Sequence, residues 1–495
     1  MPISTNFCDP LRWAQTQFAG APLGDQRRSA RLVQVAAGWA RQPGASIARL
    51  SAGQAGASKA AYRLLGNPDL TPDALPSPHR AGVCTSLQEA GTYLLIEDTT
   101  EVIWPAASAA RGRRAGLGPV GAGKAHQQGV LLHSLVAAGP WPAATAAASA
   151  SVSAGARRPA VPLVGLLDQQ FHVRQPIPPA ERATPQAGSR QREHRPRESA
   201  LWTQSLRAVG TPPPAARWVV VADRGADIYD HLLLCRQQGL GFVVRAAQDR
   251  ALVDVASQAP AGRLFALVRA QPAHGHFCLA LRGRPGQPAR DVLLAVSYTP
   301  PLAVRSPQRV GSAPGKGPSV GCGAVRVWEE TPPPGQAPLE WVLLCDEAVT
   351  TFEQAVERSQ QYASRWIIED FHKALKTGMG AEKLQLQTAA RLFAAVAVLS
   401  VVALALVDLR ENSRLQPDAP ATAAGLETTH LRVLTALSAR PVRTVAEVYL
   451  ALAALGGHLG RKGDGPPGWQ TLWRGLQQLR FVVEGVRIAP EIHNE

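Results

Sequence analysis

Runs of consecutive apolar residues mark the middle of the chain. They read TYLLIED at 92–98, GVLLHSLVAA at 129–138, RWVVVAD at 217–223 and GFVVRAA at 241–247. Continuous Val, Ile and Leu runs of this length are typical of strands that are buried on both faces of a sheet. Between the last two runs, the apolar residues of ADIYDHLLLCRQQG recur with the period of a helix. The pattern therefore predicts an α/β unit in which helices cover a buried sheet.

Helical spacing of apolar residues dominates both ends of the chain. At the N-terminus, LGDQRRSARLVQVAAGWARQ predicts one helix, and ASKAAYRLLGN predicts a second that stops at Gly66-Asn67-Pro68. Beyond residue 405, VAEVYLALAALGG and GWQTLWRGLQQLRFVVEGV show the same period. The most apolar run, Leu392 to Val407, has 16 residues, whereas a bilayer span needs about 20. We interpret this run as a buried core helix.

The remaining stretches suggest how the chain is divided. HFCLALRG and VLLAVSY, between about 250 and 340, alternate polar and apolar residues and predict a small β-rich insertion. Pro, Gly, Ala and Arg dominate residues 140–200 and 299–338, which are predicted loops or linkers. The five predicted segments are helices at 1–75, a first core part at 76–248, the insertion at 249–340, a second core part at 341–405 and helices at 406–495.

The composition adds a strong positive charge to this picture. Lys and Arg total 52 against 37 Asp and Glu, which gives a net charge of +15. This balance favours a polyanionic partner such as nucleic acid, although an arginine bias of the genome would give the same count. The six cysteines form no CxxC pair, and the first residues show no basic segment followed by an apolar one. We therefore expect a cytoplasmic protein with reduced thiols.

The segment YASRWIIEDFHKALKTG carries the most informative spacing. On a helix, its phenol, its bases and one acid form a single stripe of Tyr362, Arg365, Glu369, Lys373 and Lys376. The opposite side is apolar and carries Ile367, Ile368, Phe371, Ala374 and Leu375. Such a helix presents one face to a core and a mostly cationic face, with one embedded carboxylate, to an anion.

Two aspartates, Asp98 and Asp223, each end a predicted buried strand. Ligands of open α/β sheets collect at the carboxyl ends of strands, and a carboxylate beside an apolar core has to meet a cation. Together with Glu369, these residues could hold one or two Mg²⁺ ions through oxygen ligands, as two-metal phosphoryl transfer requires. The alternative for each aspartate alone is a turn or helix-cap residue.

Two other polar groups leave more than one interpretation open. Arg27, Arg28 and Arg31 fall at the start of a predicted helix, where positive charges oppose the helix dipole. An external anion would compensate them, and a solvated basic face is the alternative. HGHFC at 274–278 contains metal-ligand residue types. We interpret it as alternation along one strand face, because a fourth ligand is missing.

Four segments resemble a known family. IEDTT at 96–100, VADRGADI at 221–228, EWVLL at 340–344 and YASRWIIEDFHKALKTGMGAE at 362–382 are similar to motifs of the DDE transposases of the insertion-sequence-four family, which move bacterial DNA by cut and paste. Weaker agreement extends to both ends of the chain. The resemblance implies an α/β fold with an RNase H-like mixed-sheet catalytic core and a β-rich insertion. An N-terminal helical DNA-binding domain and a C-terminal helical dimerisation region would flank this core.

The resemblance also implies roles for single residues. Asp98, Asp223 and Glu369 would form a catalytic triad that binds Mg²⁺, with Mn²⁺ as a substitute. The residues that would grip DNA phosphates are Tyr362, Arg365, Lys373 and Lys376. Trp341 would stack against a flipped base, with ordinary strand packing as the alternative. The basic residues that would bind the terminal inverted repeats are Arg27, Arg28 and Arg31.

The implied activity joins endonuclease cleavage to strand transfer. Hydrolysis would free a 3′ end, a hairpin would form and open, and the 3′ end would join target DNA. The implied partners are double-stranded DNA and a second copy of the chain in a synaptic complex, with no membrane and no small-molecule substrate, at the bacterial nucleoid. Two alternatives remain, namely a catalytically silent transposase-derived DNA-binding dimer or inhibitor, and an RNase H-like nuclease without strand transfer.

Overall fold

The computed structural model describes most of the chain. The described residues are 3, 7–51, 54–105, 114–121, 127–142, 159–175, 197–281, 290–307, 317–461 and 465–493. The predicted loops at 140–200 and 299–338 lie partly outside these ranges. Where they are described, the prediction is wrong for Leu163–His172, Leu302–Val304 and Val320–Glu329, which are strands because each pairs with a neighbouring strand.

The N-terminal part is helical, as the spacing predicts. Its helices are α1 (Pro10–Phe18), α2 (Gln26–Arg41), α3 (Ile47–Leu50), α4 (Ala55–Leu65) and α5 (Ser77–Ser86). Asp9 and Asp25 cap α1 and α2, because their carboxylates accept hydrogen bonds from backbone N–H groups of the first turn. The predicted apolar face of α2 is buried and carries Leu32, Val33, Val35, Ala36 and Trp39.

The central sheet has five core strands in mixed order. They are β1 (Gly91–Pro105), β3 (Gln127–Ala138), β4 (Leu163–His172), β5 (Ala216–Ala222) and β6 (Gly241–Arg245), and the two-residue strand β2 (Gly118–Pro119) pairs with β3. The spatial order is β4-β3-β1-β5-β6. Strands β1, β5 and β6 run parallel to one another, whereas β3 is antiparallel to both of its neighbours, β1 and β4. Helices α6 (Ala200–Val209) and α7 (Tyr229–Gln237) belong to this unit. This topology confirms the predicted RNase H-like mixed-sheet fold.

Strand β1 is longer than the apolar run predicts. The predicted strand ended at Asp98, but β1 continues to Pro105 and pairs with β3 from Leu94↔Ala138 to Pro105↔Gln127. The prediction of a strand end at Asp98 is therefore wrong. The antiparallel partner satisfies the backbone of the polar residues beyond Asp98, so the strand continues where the apolar run stops.

The β-rich insertion extends the same sheet. Its elements are β7 (Ala251–Val253), β8 (Pro260–Arg263), α8 (Leu264–Arg269), β9 (Gly275–Leu281), β10 (Arg290–Tyr298), β11 (Leu302–Val304) and β12 (Val320–Glu329). Strand β13 (Glu340–Cys345) pairs with β12 on one side and with β6 on the other. The insertion is therefore joined to the core by backbone hydrogen bonds across β13.

The C-terminal part is again helical. Its elements are α9 (Phe352–Ala363), α10 (Trp366–Lys373), a π-helical turn (Ala374–Gly378), α11 (Ala389–Leu415), α12 (Thr428–Leu437), α13 (Val445–Leu455) and α14 (Trp469–His493). Helix α11 is long and apolar enough to cross a membrane, yet 94% of its most apolar window is buried inside the protein. The interpretation of residues 392–407 as a core helix is thus confirmed.

Helices α13 and α14 cross at very close range through two glycines. A Cβ added at Gly475 would collide with the carbonyl oxygen of Leu452, and one added at Gly456 would collide with that of Thr471. Each glycine lies against the backbone of the opposite helix. The absence of two side chains therefore sets the separation of these helices.

His79 on α5 forms hydrogen bonds with α1 and with the sheet. From its environment we predict that the stability of the protein depends on pH. Its Nε2 accepts a hydrogen bond of 2.9 Å from the backbone N–H of Leu166, so Nδ1 carries the proton and donates to Gln17 Oε1 at 2.6 Å. Burial, followed by nearby Arg80, lowers the pKa of His79 to about 3. The folded chain keeps this ring neutral, while the unfolded chain protonates it near its ordinary pKa of about 6.5.

We therefore expect His79 to make stability fall as the pH falls from about 6.5 towards 3. His79→Gln keeps an acceptor and a donor but removes the titration. It should reduce the slope of unfolding free energy against pH by about 1.4 kcal/mol per unit within this window, measured by denaturant unfolding. His274→Gln, at an exposed histidine, is the control and should leave the slope unchanged. An unchanged slope in His79→Gln would contradict the prediction.

Candidate active site

Asp98 and Asp223 occupy neighbouring positions at the carboxyl end of the parallel pairing between β1 and β5. The register of β1 with β5 ends at Glu97↔Ala222; the next residue of β1 is Asp98, and the residue that follows β5 is Asp223. Asp98 Oδ1 accepts a hydrogen bond of 2.7 Å from the N–H of Thr99, and Asp223 Oδ1 accepts one of 2.7 Å from the N–H of Gly225. Asp223 also caps a short 3₁₀ turn, so its role as a turn residue coexists with its place beside Asp98.

Arg365 connects the third predicted acid, Glu369, to Asp98. Its guanidinium lies 3.7 Å from Asp98 Oδ2 through Nη1 and 2.5 Å from Glu369 Oε1 through Nη2. The side chain of Glu369 is 49% exposed, whereas that of Asp98 is 18% exposed. The site therefore opens to solvent on the side of Glu369.

The two other acids both act on the carboxyl group of Asp98. Burial raises the pKa of Asp98 to about 6, the charge of Asp223 adds to this effect, and Glu369 contributes in the same direction. The Arg365 guanidinium and the hydrogen bond from Thr99 oppose the rise. Negative charge is thus concentrated here beyond what one arginine balances.

This donor set fits a hard divalent cation, because it consists of carboxylate oxygens that repel one another. As arranged here, the described residues include no group of three or more Asp, Glu, His or Cys side chains that would hold a metal ion. Instead, the guanidinium of Arg365 supplies the positive charge between Asp98 and Glu369.

The predicted stripe is divided between two helices. The chain turns at Ser364 and Arg365, so Tyr362 lies in the last turn of α9 while Glu369 and Lys373 lie on α10. The prediction of one continuous helix is wrong here, whereas the opposite, apolar face is confirmed. Its buried residues are Ile367, Ile368, Phe371, Ala374 and Leu375.

The phenol and the two lysines have different environments. Tyr362 is only 2% exposed, and its ring lies 5.0 Å from that of Trp341. Lys376 donates a hydrogen bond of 2.8 Å to the carbonyl oxygen of Glu101 and lies 3.4 Å from a carboxylate oxygen of Glu382. Lys373 is exposed. In this conformation, Lys373 is the member of the stripe that is most accessible to a phosphate.

Trp341 lies inside the protein. It is 4% exposed on β13 and meets Tyr362 edge to face. In this structure, Trp341 therefore packs as an ordinary strand residue, which was the alternative interpretation. Contact with a flipped base would require Trp341 and Tyr362 to repack.

The N-terminal arginines also differ from one another. Arg27 is exposed and Arg31 is partly exposed. Arg28 donates a hydrogen bond of 3.1 Å to the carbonyl oxygen of Leu23 and lies 3.7 Å from Asp69. Arg28 therefore already has partners within the protein.

Helix α4 carries a basic surface that our sequence interpretation missed. Lys59, Tyr62 and Arg63 are exposed on it, and the helix contains no acidic residue. The signal was present in ASKAAYRLL, where two bases flank an aromatic residue at helical spacing. Such a face suits contact with nucleic-acid phosphates.

The HGHFC segment is a β-strand with alternating burial. Phe277 is buried and His276 faces outward, where its Nε2 lies 3.0 Å from Glu330 Oε2.

Comparison with family models matches known domains to both ends of the chain. Residues 10–70 match the model described as transposase DNA-binding, and residues 414–494 match the model described as transposase Tn5 dimerisation domain. The two matches flank the sheet that carries Asp98 and Asp223. They support a chain similar to the Tn5 transposase, which binds DNA and pairs with a second copy.

Proposed function

We propose that the protein is a cut-and-paste DNA transposase of the insertion-sequence-four family. One observation carries the proposal, namely the position of Asp98 beside Asp223, with Glu369 linked to Asp98 through Arg365. This acidic centre lies between a DNA-binding match and a dimerisation match. The proposed sequence is nicking of a transposon end, hairpin formation, hairpin opening and joining of the 3′ end to target DNA.

Asp98, Asp223 and Glu369 would hold Mg²⁺ or Mn²⁺, which would activate the attacking oxygen and stabilise the leaving one. Arg365 would then release Glu369 and turn its planar guanidinium to a phosphate, which it can bind through two hydrogen bonds. Lys373 would add a point charge at the exposed edge of α10. Tyr362, Lys376 and Trp341 would reach DNA only after leaving their present contacts.

The homodimer proposed for the synaptic complex is supported by the apolar surface of the matched C-terminal domain. Phe481 is 70% exposed on α14, and Val482 and Val486 lie near it at 38% and 50% exposure. Apolar side chains grouped in this way are typical of a protein–protein interface. We place the protein in the bacterial cytoplasm, at the nucleoid.

The N-terminal domain is proposed to bind terminal inverted repeats with α2 and α4. Arg63→Ala should weaken binding to transposon-end DNA and lower the slope of log affinity against log salt by about 1, because one phosphate contact is lost. Titration by fluorescence anisotropy at several salt concentrations measures both quantities. Arg440→Ala, at an exposed C-terminal arginine, is the matched control and should change neither. Unchanged affinity in Arg63→Ala would exclude this contact.

An assay with labelled transposon ends tests the whole proposal. Uncut ends should yield nicks and then hairpins, and pre-cut ends should join to plasmid DNA when Mg²⁺ is present. Ends that are nicked but never joined would favour the nuclease alternative. Binding without any cleavage would favour the silent DNA-binding dimer. Sequencing on both sides of the gene supplies the inverted repeats from which the substrates are made.

A further inference from the structure

A group of buried polar side chains lies behind Asp98, on the opposite face of β1. Glu97 precedes Asp98 on the strand, His133 belongs to β3 and His231 belongs to α7. All three side chains are 0% exposed. We call this group the buried clamp. Polar groups buried this deeply are costly unless they are paired.

Contacts within the buried clamp reach both neighbours of Asp98. His231 Nε2 lies 2.6 Å from Glu97 Oε1, and His133 Nε2 lies 3.4 Å from Glu97 Oε2. The other nitrogen of His133, Nδ1, lies 2.8 Å from the hydroxyl of Thr99. The imidazole of His133 thus contacts the side chains of Glu97 and Thr99, the two residues that flank Asp98 on β1.

The buried clamp also connects Asp98 to the segment that carries Asp223. Asp223 caps the 3₁₀ turn at 224–226, and helix α7 with His231 follows this turn. The contact between His231 and Glu97 therefore joins the chain after Asp223 to the strand of Asp98. The ring of Trp202 covers both imidazoles, with centroid distances of 4.8 Å to His133 and 6.1 Å to His231.

Each carboxylate oxygen of Glu97 lies beside one of the two imidazoles. Removing one partner of a buried, paired charge is strongly destabilising, whereas an apolar replacement of the whole group need not be. Stability alone therefore gives little reason to build three polar groups into the sheet at this point.

We propose that Glu97, His133 and His231 are positioning residues that fix Asp98 relative to Asp223. The proposal rests on the proposed function of these aspartates as metal ligands. Groups that orient metal ligands from behind typically change metal affinity or activity about 10- to 100-fold when they are replaced. The buried clamp would act in this way without touching DNA or metal.

The test measures metal binding separately from catalysis. Mn²⁺ affinity of the full-length protein without DNA is followed by electron paramagnetic resonance, and cleavage is measured at saturating transposon-end DNA. His231→Leu should weaken Mn²⁺ binding and slow cleavage, each about 10-fold or more. His231→Gln should recover most of the loss, because its amide can still donate to Glu97. Tyr449→Phe removes a buried hydroxyl in the C-terminal part and is the control for loss of a buried polar atom.

A second pair of variants keeps the test decisive if His231→Leu fails to fold. Thr99→Val removes the hydroxyl that faces His133 while keeping the shape of the side chain, and Thr99→Ser restores that hydroxyl. The proposal expects weaker Mn²⁺ binding in the valine variant and recovery in the serine variant. If His231→Leu folds and binds Mn²⁺ with wild-type affinity, the buried-clamp proposal is overturned. If only Thr99→Val folds, wild-type Mn²⁺ affinity in that variant overturns the proposal.

The wild-type protein separates this proposal from the proposed function. Mn²⁺ binding without DNA cleavage in the wild-type protein would overturn the proposed function, and the Mn²⁺ affinities of the variants would still test the buried clamp. If the wild-type protein neither binds Mn²⁺ nor cleaves DNA, the proposed function and the buried-clamp proposal are both overturned.

Discussion

Asp98→Asn is expected to lower DNA cleavage by on the order of 10³-fold or more while binding to transposon ends is retained. The amide keeps the shape of the carboxylate but removes the charge that a metal ligand at this position needs. The same substitution should leave folding stability unchanged or higher. Burial and the charges of Asp223 and Glu369 disfavour an ionised group at this position, and the neutral amide relieves that repulsion.

Three measurements decide this prediction. Single-turnover cleavage of labelled ends gives the rate, electrophoretic mobility shift gives the DNA affinity, and thermal unfolding gives the stability. Asp291→Asn, at an exposed position on β10, is the matched control and should resemble the wild type in all three. Cleavage by Asp98→Asn within about 10-fold of the wild-type rate would exclude Asp98 as a metal ligand.

Arg410→Met is expected to destabilise the protein by about 3–5 kcal/mol. The guanidinium of Arg410 is 4% exposed and lies 2.5 Å from Asp370 and 2.6 Å from Glu411. Glu411 is fully buried, so methionine would leave its charge in the core without this close partner, with Arg414 at 3.6 Å as a more distant one. Because Asp370 follows Glu369 on α10, loss of this contact should also slow DNA cleavage.

Denaturant unfolding measures the effect, and Arg432→Met is its control. Arg432 is exposed on α12, so its replacement should change the free energy of unfolding by less than about 0.5 kcal/mol. A combined replacement of Arg410 and Glu411 by apolar residues should cost less than Arg410→Met alone, since it removes the buried charge as well. Equal stability of Arg410→Met and the wild type would show that the pair contributes nothing.

The sequence was most informative where an apolar run ends in an acid. Two such runs predicted buried strands with Asp98 and Asp223 at their carboxyl ends, and the parallel pairing of β1 with β5 brings the two aspartates together. The apolar side of the segment at 366–375 was likewise predictable, since burial on one face imposes the period of a helix. Fold class and the acidic pair thus follow from local patterns.

Other features depend on partners that a local pattern does not reveal. The extension of β1 past Asp98 arises from pairing with β3, which is about 30 residues away along the chain. The turn at Ser364 divides a stripe that reads as continuous on a helical wheel. Trp341 and Tyr362 are buried in the core and pack edge to face, although they are far apart in the sequence. The contacts of His133 and His231 with Glu97 likewise join three separate elements.

The glycine contact between α13 and α14 has a mechanical consequence for assembly. Two backbones in direct contact cannot approach further, and any side chain at Gly456 or Gly475 would force them apart. The direction of α14 is therefore set at its first turns, away from the exposed apolar side chains around Phe481. If the surface around Phe481 forms the proposed dimer contact, a substitution at Gly456 or Gly475 would change the direction in which α14 presents that surface without changing the surface itself.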